Sequence, residues 1–298
     1  MKRLSFGDRV FYFINYIILS FFLLVVSYPL IYIISCSFSS SSAVVSGRVF
    51  LWPVEPTLIG YTTIFENNRI LVGFANSFIY AVSGTILGVA VTMLASYPLS
   101  RNDFILRKQI MFIFTFTMFF GGGLIPTYML IKKLGLIDTR AVMIIPGAVS
   151  VYNIIITRTY IKSNIPTELL DAARIDGCSD FQFFLRIVLP LSKTIMAVVA
   201  LFYAVGIWNS YFNALIYLTR QQLYPLQIIL REILIQNKVD AEMISKGRIN
   251  VKDLAARQAI FELLKYSLIV VSSAPVFVIY PFIQKYFVKG IMIGSLKG

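Results

Sequence analysis

The sequence predicts an all-α membrane protein with six transmembrane helices and a helix-glycine-helix segment between the fourth and the fifth. Three observations predict it. Hydrophobic residues fill 58% of the 298 positions and charged residues only 14%, far from the balance of a soluble domain. Apolar runs recur at the length of about 20 residues that a hydrocarbon core of about 30 Å demands. Finally, the stretch 163–190 carries helix-capping signals and an apolar ridge outside any spanning run.

The candidate spans fall at about residues 11–35, 71–97, 109–131, 141–161, 194–218 and 264–287. The first apolar run is too long for a signal-peptide core and no small-residue cleavage site follows it, so it is expected to stay as a helix. Pro29, Gly84 with Gly88, Pro146 and Pro275 lie inside spans, where neighbouring helices resatisfy the backbone. The third span is the one expected to break, because Gly121, Gly122 and Gly123 precede Pro126 and interrupt the hydrogen-bond ladder. Such a break lines a pathway or lets helices approach closely, and the residues alone leave both open.

Six spans put both termini on one side. Lys and Arg divide almost evenly between the two sides, but Lys2, Arg3 and Arg9 crowd the start, whereas the following loop carries only Arg48 and Arg69. Weighted toward short segments near the first helix, this places both termini in the cytoplasm. A single membrane domain, 1–298, then divides into a cytoplasmic N-terminus (1–10), cytoplasmic helices (163–190), a long extracellular loop (219–263) and a cytoplasmic tail (288–298).

Composition narrows the chemistry. The chain has no histidine, and its two cysteines are Cys36 and Cys178, which removes His-based acid/base catalysis and the usual zinc sites. The predicted topology puts the cysteines on opposite sides of the membrane, too far apart for a disulfide. The formal charge of +13 is dispersed among apolar spans without a nucleic-acid motif, and anionic lipid headgroups account for it. No nucleophile stands with a base, so no enzyme is expected.

The segment 163–190 reads as two helices around a glycine. Pro166 suits a first helical turn, Glu168 and Asp171 sit near the positive end of the dipole, and Gly177 is placed for a left-handed cap. Ser179 and Gln182 form a capping-box pair, after which Phe181, Phe184, Leu185 and Val188 recur at helical spacing. The ridge they form needs a partner, either lipid or protein.

The run Asp171-Ala-Ala-Arg-Ile-Asp176-Gly177, with Leu189-Pro190 downstream, resembles the coupling motif of the permease subunits of bacterial ATP-binding-cassette sugar importers. The resemblance is to the maltose-transporter type, in its oligosaccharide and polysaccharide-fragment branch. It extends through Gly121-Gly-Gly-Leu-Ile-Pro-Thr-Tyr128, Gly135-Leu-Ile-Asp-Thr139, Trp208-Asn-Ser-Tyr-Phe-Asn213, Tyr224-Pro-Leu-Gln227 and the ending from Tyr286 to Gly298. What it implies is a type I importer permease fold that pairs with a second, related permease, rests on two ATPase subunits and receives an oligosaccharide from an extracellular solute-binding protein. Asp171, Ala172, Ala173, Asp176 and Gly177 would then enter a cleft on the ATPase, within a coupling segment that also holds Glu168, Phe181, Phe184 and Pro190. Asp171 stands where the family usually has Glu, and Cys178 where alanine is frequent. The extracellular loop would reach the binding protein, and the Lys297-Gly298 tail matches an ending that in some members reaches the ATPase.

The sequence contains no Gly-x-x-x-x-Gly-Lys-Ser/Thr loop, so Mg-ATP is expected on partner chains and no cofactor on this one. Asn76, Tyr128, Asn153, Trp208, Asn209, Tyr211 and Asn213 are the candidate substrate path, since aromatic faces stack on sugar rings and Asn serves hydroxyls as donor and acceptor. The same residues also suit helix packing. The basic residues of 219–263 admit an acidic sugar such as alginate, while the interspersed acids admit an ordinary solvated loop. An ion-gradient-driven transporter is the alternative, disfavoured because the spans are almost free of carboxylates.

Overall fold

The computed structural model describes residues 5–245 and 251–295, with side chains over 5–235, 261–282 and 284. Among the described residues every regular element is helical. The chain forms two compact units, Met1–Leu71 with Leu230–Ala274, and Val72–Ile229 with Pro275–Gly298.

The first unit opens with α1 (Phe6–Ser37), which carries Pro29 in its interior. Ser5 and Asp8 cap its start reciprocally, the Ser5 amide donating to Asp8 Oδ2 at 3.0 Å. Short helices α2 (Ser41–Val45) and α3 (Ile59–Glu66) follow. Cys36, Ala43, Val44 and Val49 make a small core beneath them, with Tyr32, Val54 and Tyr266 packed against it. Both cysteines are free thiols.

α4 (Asn68–Ser100) is the long helix leading into the second unit. Next come α5 (Arg107–Phe119) and α6 (Leu124–Lys133), bent 114° from each other. The break lies at the three glycines, as expected. Its cause is conformational, because Gly123 has φ of +83° while an added Cβ at Gly121 or Gly123 would meet no atom of this chain within 4 Å. Close helix approach occurs instead at Gly88, where a Cβ would lie 2.9 Å from the Tyr203 ring.

The fourth span departs from expectation. Residues 141–161 do not form one helix: a 3₁₀ turn (Arg140–Met143) gives way to an irregular connection and then to α7 (Val151–Asn164). Pro146 has no N–H to continue a ladder, and Ser150 restarts the helix by accepting a hydrogen bond from the Asn153 amide at 3.3 Å. With 14 residues, α7 is about 21 Å long.

α8 (Thr167–Ile175), α9 (Asp180–Phe183), a π turn (Phe184–Val188) and α10 (Leu189–Leu191) form the region 165–191. α11 (Lys193–Trp208) is bent 79° from the stretch Asp180–Leu191 and stops before α12 (Phe212–Tyr217). The expected span 194–218 therefore breaks at 209–211, where the last helical bonds run from the Asn209 amide to the Val205 carbonyl and from the Ser210 amide to the Ile207 carbonyl, each at 3.1 Å. The segment 219–263, expected as a loop, is mostly helical, with α13 (Leu226–Ser245) and the start of α14 (Val251–Ser295). Residues 246–250 and the Lys297-Gly298 tail lie outside the described residues. α14 carries Pro275 and Pro281 and continues through most of the expected tail. Among the described residues, three helices have the length and apolarity to cross a membrane, and up to five spans result if each bent pair counts as one.

Candidate functional site: a braced helix-glycine-helix tip

α8 ends as its sequence requires. Asp176 is the C-cap and Gly177 follows with φ of +76°. The Cys178 amide donates to the Ala173 carbonyl at 2.9 Å and the Gly177 amide to the Arg174 carbonyl at 3.0 Å. This pair of bonds is a Schellman closure, which a side chain at Gly177 would strain. α9 begins two residues later with Ser179 Oγ accepting from the Gln182 amide at 3.3 Å and Gln182 Oε1 accepting from the Ser179 amide at 3.1 Å. Pro166 sits at the N-cap, one position before the helix it was expected to enter.

The two helices share a core. Ala173, Phe183, Phe184 and Val188 are buried with Met93 of α4 and Ile161 of α7. Tyr97 lies against both rings, its centroid 6.3 Å from Phe183 and 5.3 Å from Phe184. The expected ridge thus divides. Phe184 and Val188 are consumed inside this chain, whereas Phe181 is 64% exposed and Leu185 also faces outward. A π turn follows along the same ridge: the Leu189 amide reaches back to the Phe184 carbonyl, and Pro190, having no N–H, cannot restore α-register through Arg186. Pro190 itself is exposed. Ala173, small and buried, lets α8 lie close on α9, while Glu168, Asp171, Ala172, Asp176 and Gly177 stay exposed. The tip is therefore acidic, small-residued and open.

An ion-pair cluster that the sequence reading missed ties the tip to α4. Arg101, only 12% exposed in its side chain, contacts Asp103 at 2.5 Å and Asp180 at 2.7 Å. It also donates to the Tyr97 hydroxyl at 3.1 Å and lies 5.6 Å over that ring. Arg174 of α8 reaches Asp103 at 2.8 Å. The Arg101 guanidinium, then that of Arg174, holds the Asp103 carboxyl well below the usual carboxylate range. Beside the cluster a cleft of about 540 Å³ runs between the end of α4 and α8, lined by both Arg101 and Asp171.

Asn76, one of the expected substrate residues, stands toward the other end of α4. Asn76 is 2% exposed and gives its amide hydrogens to the carbonyls of Gln222, at 2.7 Å, and Tyr224, at 3.1 Å. Tyr80 donates to the Leu223 carbonyl at 2.9 Å, and Ser77 Oγ accepts from the Leu226 amide at 2.8 Å. Asn76 thus pins 222–224 rather than offering its amide nitrogen to a passing ligand. Asp138 does the same for 219–220, accepting from the Thr219 and Arg220 amides, each at 2.9 Å, and pairing with Arg220 at 2.7 Å. Trp208 is buried edge-on to Phe74, with centroids 5.6 Å apart, and Asn153 is buried in the first turn of α7. Tyr128 stacks on Tyr217 at 6.1 Å. Asn209 and Tyr211 are exposed at the break after α11, and Asn213 is exposed in the first turn of α12. The seven expected residues therefore do not form one lining: four are placed by packing and three are open.

Comparison with known proteins agrees with this architecture. Residues 88–293 match the family described as binding-protein-dependent transport system inner membrane component. The polygalacturonan/rhamnogalacturonan transport system permease protein of Bacillus subtilis (strain 168) is 38% identical over 292 residues, covering 98% of this chain and 99% of the relative. An arabinooligosaccharides transport system permease protein of Halalkalibacterium halodurans is 26% identical over 288 residues, 94% of each chain. A chain in the crystal structure of a bacterial ABC transporter involved in the import of the acidic polysaccharide alginate superposes with a TM-score of 0.84 at 33% identity, covering 96% of this chain and 100% of that one. With an all-helical fold, membrane-length apolar helices and a family match over most of its length, this chain belongs to the inner membrane components of binding-protein-dependent transport systems and is the permease of an ABC importer.

Proposed function

We propose that this permease imports acidic oligosaccharides, with a second related permease beside it, two ATPase subunits carrying Mg-ATP beneath it and an extracellular solute-binding protein delivering the sugar. It lies in a bacterial cytoplasmic membrane with both termini in the cytoplasm, and neither nucleic acid nor a cofactor of its own enters the reading. The observation that carries it is the exposed tip at Asp171, Ala172, Asp176 and Gly177, held on a braced base. An ATPase cleft that closes on this tip moves a stiff body. Arg174 and Asp180 pass the motion through Asp103 and Arg101 to α4. From Ser100 to Asn76 the helix spans about 36 Å, and there Asn76, Ser77 and Tyr80 carry the segment 222–226 with it. Rocking of this kind alternates access from one side to the other.

Support for an acidic sugar comes from the relatives' substrates, polygalacturonan/rhamnogalacturonan and alginate. The experiment is to purify the tagged chain from membranes with its co-expressed genomic neighbours and assay ATPase activity. Oligogalacturonides, alginate oligomers and neutral maltooligosaccharides would be compared in the presence of the binding protein. Recovery of a second permease and ATPases, with stimulation by the uronate oligomers, is expected. Stimulation by the neutral series alone rejects the acidic substrate, and a chain recovered alone from intact membranes rejects the assembly.

A further inference from the structure

The segment following α1 holds three consecutive large apolar residues at a rigid tip. Phe50 is 66% exposed, Leu51 43% and Trp52 81%, whereas the preceding Val49 is buried at 3% in the core around Cys36. The loop's feet are closed. The Ser40 amide donates to the Val54 carbonyl at 3.2 Å, the Val54 amide to Ser39 Oγ at 3.0 Å, and the Thr57 amide to the Phe38 carbonyl at 2.8 Å. Its charges are internally matched, with Glu55 taking Arg48 at 2.9 Å and Ser40 Oγ at 2.5 Å.

Where the tip sits along α1 decides what meets it. Phe50 packs on Tyr28, centroids 5.7 Å apart, and the Leu51 carbonyl accepts from Ser35 Oγ at 2.6 Å. The loop therefore folds back beside the last turns of α1 instead of standing beyond them. The apolar run of α1 covers residues 11–34. A hydrocarbon core needs about 20 of them, so any placement of the membrane on this run puts Tyr28 about 3–9 Å inside the boundary nearer Ser37. Tyr28, Tyr32, Phe50 and Trp52 then gather at one boundary, the level at which amphipathic aromatic rings are stable.

We propose that Phe50, Leu51 and Trp52 form an interfacial anchor that seats in the headgroup and acyl boundary of the phospholipid leaflet at the Ser37 end of α1. Its partner is lipid, because the tip continues the exposed outer surface of a membrane-spanning helix at interfacial depth and presents no unpaired charge. By holding the loop at a fixed depth, the anchor also fixes the register of α1 in the bilayer.

The test places a photo-crosslinking phenylalanine derivative at position 52 of the full chain, assembled with its co-expressed partners in native membranes. After irradiation, the peptide containing residue 52 is expected to gain the mass of one phospholipid, and the same derivative at position 50 gives the same gain. Capture of a second protein, the neighbouring permease or the binding protein, overturns the proposal. Recovery of the unmodified peptide at both positions, which marks a tip in water, overturns it as well.

Discussion

Asp103 shows at the scale of a residue how a local charge becomes a mechanical part. Its carboxylate is shared by Arg101 and Arg174, which are placed by different elements. Because its folded pKa is depressed, the pair's contribution is complete above the ordinary aspartate value of 3.8 and is lost as pH falls below that value. Asp103→Asn is expected to cost about 1 kcal/mol, a small figure because Asp103 and Arg174 are both half exposed. Thermal unfolding of the purified complex at pH 7 checks this, and the gap between variant and wild type should narrow only below pH 4. Gly177 carries a different strain. Its Cβ position is empty within this chain, so Gly177→Ala should cost about 1 kcal/mol from the left-handed backbone alone. Gly177→Leu adds bulk at the exposed tip and should sharply reduce ATPase recovery on co-purification, while Ala retains it. Gly177 was legible in the sequence because a cap is local. Arg101 and Asp103 were not, since Arg174 lies 71 positions from Asp103 and no spacing rule reaches that far.

At the scale of elements, the fold sets helix ends by composition and helix contacts by size. Gly84 and Gly88 let α11 approach α4, and Tyr203 uses the space at Gly88. Its hydroxyl then meets Thr92 Oγ1 at 2.9 Å, the Ser150 amide at 3.1 Å and the Ala148 carbonyl at 3.2 Å, joining α4, α11 and the start of α7. Gly88→Ala should cost about 1–3 kcal/mol by overpacking, and Gly88→Leu should prevent accumulation of folded chain, as read by detergent-solubilised yield and thermal unfolding. Breaks followed glycine, proline and asparagine closely. The third span broke where three glycines stand, while the interruptions at Pro146 and at Asn209 were written in equally plain residues that an apolar-run count passed over. Hydropathy over a long window averages such residues away.

Across the whole molecule, α4 connects the braced tip to the segment 222–226, which Asn76, Ser77 and Tyr80 hold by hydrogen bonds. Asn76→Ala removes two hydrogen bonds to that segment, a loss of about 1 kcal/mol each. Co-purification of the ATPases should be unchanged in this variant, while sugar-stimulated ATPase activity falls several-fold. Equal loss of both would mean that α4 is only a structural support. The sequence by itself determined the membrane class, the approximate places of the apolar helices, the caps of α8 and α9 and the family resemblance, because apolar length, capping and turn chemistry act over a few residues. Only the tertiary structure decided that Phe184 turns inward while Phe181 stays out. It also decided that Asn76 holds a backbone segment and that two arginines and two aspartates brace the tip. Those outcomes depend on partners far apart in sequence, which meet only when the helices pack.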